Sequence, residues 1–216
     1  VSSKLIIYLW LYFVILGLAF TACKEVPPAI NYEVSKKLKD TAYITTTIPA
    51  AQPKNVLIED VSGVQCVNCP DAAVIAKQVM DANPDRAFSV VMHPNTASLN
   101  SLCAPVDKEG YKSLYDFRTG DASKIVEMLG TPNSLPSGYI NRRLFSGQTN
   151  RFTSRTDWAS LAGTELSGTT PVNIDLTNEL NSASNEGVIS IKLTYTAAVT
   201  KKQYITIMLM EDSILD

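Results

Sequence analysis

The stretch Cys66-Val67-Asn68-Cys69-Pro70 constrains this chain more than any other, because of what flanks it. Before it runs Val56-Leu57-Ile58-Glu59-Asp60-Val61, short and apolar, broken by Ser62-Gly63, and this reads as a buried strand. After it, Ala72, Ile75, Ala76, Val79 and Met80 recur at helical spacing, and Pro70 and Asp71 suit a helix first turn. Asn83-Pro84 ends that helix, and Ala87-Phe88-Ser89-Val90-Val91-Met92 reads as a second strand. Strand, Cys pair, helix and strand in this order make a βαβ unit with the cysteines at the helix N-terminus.

That placement suits thiol chemistry. The thiolate is the nucleophile, and a helix N-terminus lowers a Cys pKa from about 8.5 into the range of roughly 3.5–7.5. Two intervening residues bring the second sulfur close enough to resolve a mixed disulfide. Cys66 is therefore the candidate nucleophile and Cys69 the resolving thiol.

Further on stands Leu135-Pro136-Ser137-Gly138-Tyr139-Ile140-Asn141-Arg142, followed by a turn at Gly147. Together with the strand Val56–Val61 and Cys66-x-x-Cys69-Pro70, this segment resembles the outer-membrane lipoprotein family called Omp twenty-eight, a thioredoxin-like family of Gram-negative bacteria. The resemblance covers roughly residues 55 to 145. It implies a thioredoxin-like fold and an outer-membrane location and little about activity; the chemistry of the Cys pair points to protein thiols or disulfides as partners, with no cofactor. The resemblance also implies two roles. Asp60, six residues before Cys66, matches the buried acid that accepts a proton from the second Cys. Pro136 matches the cis-proline that leaves the preceding backbone free to pair with an extended substrate. Gln65 stands where working thioredoxins carry Trp, and Val67-Asn68 differs from their common dipeptides.

The N-terminus bears on location. Lys4 precedes an apolar run from Leu5 to Phe20, then Thr21-Ala22-Cys23, the layout of a signal peptide over 1–22. Leu18-Ala19-Phe20-Thr21-Ala22-Cys23 resembles a bacterial lipobox, which implies lipidation of Cys23 and a membrane held through a lipid anchor. The competing reading of the run is an uncleaved membrane anchor. Residues 23–54, with Pro27, Pro28, Pro49 and Pro53, sustain neither period and read as a tether. A net charge of −2 gives no footprint for nucleic acid.

The thioredoxin-like domain is expected over 55–168, with helices at 107–117, 121–129 and 153–161. From 169 the pattern alternates at Pro171–Leu176, Ile189–Tyr195 and Tyr204–Leu209. The fold class is thus α/β, a thioredoxin-like fold followed by a partial antiparallel β-sandwich-like segment over 169–216, expected to be truncated. Two alternatives stay open. Cys66, Cys69, His93 and Cys103 could form a Cys₃His zinc site, although the βαβ context favours redox use and no metal is assigned. The pair could also be a structural disulfide on a binding lipoprotein. His93 reads as a polar loop residue, and Cys103 is the odd thiol left over. No Walker loop, dinucleotide fingerprint or paired-His zinc motif is present.

Overall fold

The computed structural model describes residues 41–212 and residue 214. The signal peptide read over 1–22, Cys23 and the first part of the tether lie outside the described residues. Residues from Thr46 onward form one unit.

The apolar run becomes β1 (Val56–Val61) and the helical repeat becomes α1 (Cys69–Ala82), with Pro70 in its first turn. Proline is at home there because its missing N–H has no intrahelical acceptor anyway. β2 (Ala87–Pro94) runs parallel to β1, with Asp60 opposite Val91 and Val61 opposite Met92. A short helix, α2 (Asn100–Cys103), is followed by β3 (Asp107–Lys108), β4 (Tyr111–Lys112), β5 (Arg118–Thr119) and α3 (Gly120–Leu129). Then come β6 (Ser137–Ile140), β7 (Phe152–Thr153) and, after one 3-10 turn, α4 (Trp158–Leu166).

The main sheet has the order β5-β2-β1-β6-β7. β5, β2 and β1 are parallel, and β6 and β7 are antiparallel to their neighbours, which is a thioredoxin-like mixed sheet. Period 2 along β1 sends Val56, Ile58 and Asp60 to one face and Glu59 and Val61 to the other. On the first face Val56, Ile58 and Ile140 pack with Ala72, Ala76 and Val79 of α1 and with Trp158 and Ala162 of α4. On the second, Val61, Met92 and Tyr139 pack with Leu99, Cys103, Ala122 and Val126. Gly138 lets Trp158 lie flat on the sheet: a Cβ there would stand 2.6 Å from Trp158 Cζ2.

The remaining chain is an antiparallel ribbon of β8 (Val172–Asn181) and β9 (Glu186–Tyr195), paired end to end. Its register puts Ile174, Leu176 and Leu180 on one face with Ile189, Ile191 and Leu193. Asp175, Thr177 and Glu179 lie on the other face with Lys192 and Ser190.

Three elements differ from expectation. Residues 107–117 are not helical. Exposed residues there form a hairpin, β3–β4, whose two-residue turn Glu109-Gly110 puts Gly110 at φ +86°. A left-handed glycine closes such a hairpin, and no buried face holds the segment helical. The helix expected over 153–161 begins at Trp158 and runs on to Leu166. Its second half was hidden because a charged residue, Glu165, occupies the buried position. The alternating run Tyr204–Leu209 is not a strand. Alternation fixes the faces a strand would show, but a strand also needs a hydrogen-bonding edge. Residues 204–209 bond to neither outer edge of the β8–β9 ribbon, and Thr206 Oγ1 accepts from Arg142 Nη1 at 3.1 Å.

Candidate functional site

Cys66 and Cys69 are joined in a disulfide, their Cα atoms 5.4 Å apart. Cys69 is the first residue of α1, so the pair closes the turn that feeds this helix. The Cys66 N–H donates to the Gly63 carbonyl at 3.0 Å and the Cys69 N–H to the Cys66 carbonyl at 3.2 Å. Both cysteines are buried, while Val67 between them is 92% exposed. Val67 is thus the residue that projects at the apex.

The loop before the pair is held by the segment around α2. The Gln65 backbone N–H donates to Leu102 O and its side-chain Nε2 to Ala104 O, both at 2.9 Å. Cys103 Sγ donates to Ser62 O at 3.2 Å. Gly63 lies so close to the Leu102 carbonyl that no Cβ would fit between them. Gln65 therefore acts as a brace at the position where thioredoxins carry Trp.

Asp60 sits one residue before the end of β1, on the α1 face, and is 1% exposed. Its Oδ1 has no hydrogen-bond partner. Burial raises its carboxyl from 3.8 to about 7, because the charged form loses its water. A cavity of about 310 Å³ brings together Asp60, Ser62, Cys66, Cys69, Val91 and His93.

The other singled-out residues fall as follows. The Leu135–Pro136 bond is cis, and Pro136 is buried. Ser137 lies opposite Val61, so Pro136 stands at the end of β6 that borders the Cys loop, although it does not line the cavity. Cys103 is on the opposite face of the sheet, where burial pushes its thiol up to about 11. The zinc set is therefore split: two of its cysteines are bonded to each other and the third lies across the sheet. Among the described residues no group of three or more His, Cys, Asp or Glu is placed to hold a metal ion. Cys23 lies outside the described residues.

From sequence alone, His93 reads only as a zinc ligand or a polar loop residue. It lies within β2 rather than in a loop, two positions beyond Val91, so period 2 points it to the Asp60 face. The signal was present in the parallel alignment of two strands ending together, with an acid near the end of one and a histidine near the end of the other.

Two further carboxylates are buried. Glu59 accepts from Arg142 Nε at 2.9 Å and from Nη2 at 2.6 Å. Glu165 accepts from Asn141 Nδ2 at 2.9 Å and pairs with Lys54 and Arg143. Burial alone would raise Glu165, but the Asn141, Lys54 and Arg143 hydrogen bonds outweigh it and hold the carboxyl below its usual value.

Comparison with known proteins finds a similar solved structure, HBP35 of Porphyromonas gingivalis. The identity is 16% and the TM-score 0.41, over 60% of this chain and 38% of that one. This chain therefore spans well under two thirds of that protein's length. No protein-family model matches the chain, and no curated protein matches it either.

Proposed function

We propose that this chain is a thiol–disulfide oxidoreductase of the cell envelope, a lipoprotein of the Omp twenty-eight type held at the outer membrane by acylated Cys23. The observation that carries the redox reading is Asp60, a carboxylate buried against the Cys66–Cys69 pair with one oxygen unpartnered and its carboxyl raised to about 7. A disulfide kept only for stability has no use for such a group.

In the reduced protein Cys66, at the positive end of α1, attacks one sulfur of a partner disulfide as thiolate. A mixed disulfide forms and the partner's other sulfur leaves as a thiol after taking a proton from water. Asp60 then takes the proton of Cys69. The Cys69 thiolate attacks Cys66 Sγ, the Cys66–Cys69 bond forms, and the second partner thiolate leaves. Two electrons pass from the Cys pair to the partner disulfide. Backbone beside Pro136 is where an extended partner segment would pair. The protein partners are thus thiols or disulfides, and no cofactor takes part.

A second reading has its own support. Ile174, Leu176 and Leu180 are each more than half exposed on one face of the ribbon, as a binding module using the fold for scaffold would present them. The reduction potential of Cys66–Cys69, in a Cys103→Ser background, separates the two. A reversible couple between about −120 and −270 mV, with exchange abolished by Cys66→Ser, supports the oxidoreductase; a potential below roughly −300 mV supports the scaffold. Mass spectrometry of the mature N-terminus tests the anchor, which requires acyl chains on Cys23.

A further inference from the structure

We propose that His93 carries the proton between Asp60 and solvent when Cys66 and Cys69 exchange disulfides. This rests on the thiol-exchange reading above and assigns that site its proton path.

The geometry makes the case. Asp60 is 1% exposed, so its proton reaches solvent by way of the cavity that it lines with Cys66 and Cys69. A carboxyl raised to about 7 is partly protonated near neutrality, and it must give that proton up before it can take one from Cys69. His93 lines the same cavity as Asp60, Cys66 and Cys69, and it is half-buried. It follows Val91, the residue directly opposite Asp60, by two positions on the same side of β2. It therefore lies beyond Asp60 in the direction in which both strands end. The ring is held against Phe117, centroids 5.8 Å apart, which fixes the imidazole at the wall of the cavity. A volume of about 310 Å³ accommodates several waters at about 30 Å³ each, and a general base works through one intervening water.

Burial alone disfavours charge on the imidazole. The titratable and charged groups on the elements packed around it are Asp60 on β1, the two sulfurs at α1, the Cys103 thiol on α2, and Arg118 on β5. Arg118 is taken up by Asp116, at 2.8 Å from Nε and 2.6 Å from Nη2, and by Asn100. On α3, Lys124 pairs with Asp121 on the exposed surface. Burial lowers His93 from 6.5 while it raises Asp60 to about 7, so a neutral imidazole, able to accept a proton, faces the protonated acid.

The step balances. Cys69–SH gives its proton to the Asp60 carboxylate, and the Cys69 thiolate displaces the partner thiolate from Cys66. Protonated Asp60 then passes the proton through water to neutral His93, and the imidazolium releases it to solvent. No further oxidant or reductant enters.

The test follows the second half-reaction. Reduced protein with Cys103→Ser is mixed with glutathione disulfide, quenched in acid, and the Cys66–glutathione adduct is followed by mass spectrometry from pH 5.5 to 9. With His93→Gln, adduct formation stays within about twofold of the parent, while its resolution by Cys69 slows about tenfold or more near pH 7. With His93→Ala, added imidazole restores resolution, and an equal concentration of a bulky buffer base that cannot enter the cavity does not. A His93→Gln protein that resolves the adduct at the parent rate across the pH range overturns the proposal while leaving the exchange reading intact. So does a His93→Ala protein that imidazole fails to rescue. A parent protein whose adduct never resolves overturns the exchange reading, and this one with it.

Discussion

Replacing Asp60 by Asn tests the electrostatics of the site independently of any partner. The perturbation swaps a carboxyl for a neutral amide of nearly the same shape. In the folded, oxidised protein the carboxyl titrates at about 7, against 3.8 when unfolded. Between those two values the folded state holds a proton that the unfolded state has lost. Stability from this group is therefore full below about pH 4, falls as pH rises from about 4 to about 7, and is flat above. A rise of about three pH units at about 1.4 kcal/mol each gives a loss of about 4 kcal/mol, an upper figure because water entering the cavity softens it. Asn has no such window. The stability difference between Asp60→Asn and the parent should thus be near zero at pH 4 and grow to as much as about 4 kcal/mol in favour of the variant at pH 8. Urea midpoints with unchanged m-values, taken at each unit of pH from 4 to 8, measure it. Glu165 and Asp116, whose carboxyls are lowered, act with the opposite sign but equally in both proteins, so they cancel in the difference. Parallel curves for the two proteins across this range would refute the reasoning.

Arg142→Ala leaves Glu59 buried without its bidentate partner, and should destabilise the fold by about 3–5 kcal/mol in urea titrations. Gly138→Ala drives a methyl against Trp158 and the Glu59 carbonyl, at 2.6 and 3.0 Å, and should cost about 1–3 kcal/mol with a change in Trp158 fluorescence. Gln65→Ala removes the side-chain hydrogen bond to Ala104 O while keeping the backbone one; thermal unfolding should report a loss of about 1 kcal/mol.

The βαβ unit was legible because each of its signals is local. The apolar run, the Ser62-Gly63 break, Pro70 and the 3.6 repeat each act within a few residues, and they agree with one another. Cys66 and Cys69 follow from that frame, and Asp60, six residues before Cys66, comes from the family resemblance. The failures lie where tertiary partners decide. Glu165 reads as solvent-facing until Lys54 and the Asn141–Arg143 segment are brought to it from two distant points of the chain. The same holds for Asn141 and Arg142, quoted as part of a family motif. Asn141 accepts from the Leu57 N–H at 2.8 Å and donates to Asn55 O, so it pins the start of β1, while Arg142 neutralises Glu59. His93 required knowing that β1 and β2 are parallel and in which register. The run at 204–209 shows the reverse error, a good local pattern that pairs with no strand.

The three buried carboxylates among the described residues, compared with one another, say more than any one of them. Glu59, Asp60 and Glu165 are all about 1% exposed or less. Each faces the same loss of hydration, and a buried charge without a partner is ordinarily removed or neutralised. Glu59 has the Arg142 guanidinium, and Glu165 has Lys54, Arg143 and Asn141. Asp60, next to Glu59 in the chain, has an unpartnered oxygen and a carboxyl driven to about 7. A fold that supplies cations to two of its buried acids has the means to supply a third. Leaving Asp60 unpaired keeps it able to change protonation near neutrality, and it is the one of the three that shares a cavity with the two sulfurs. That contrast, within one sheet, is the physical reason to read the disulfide as a reacting group rather than a staple.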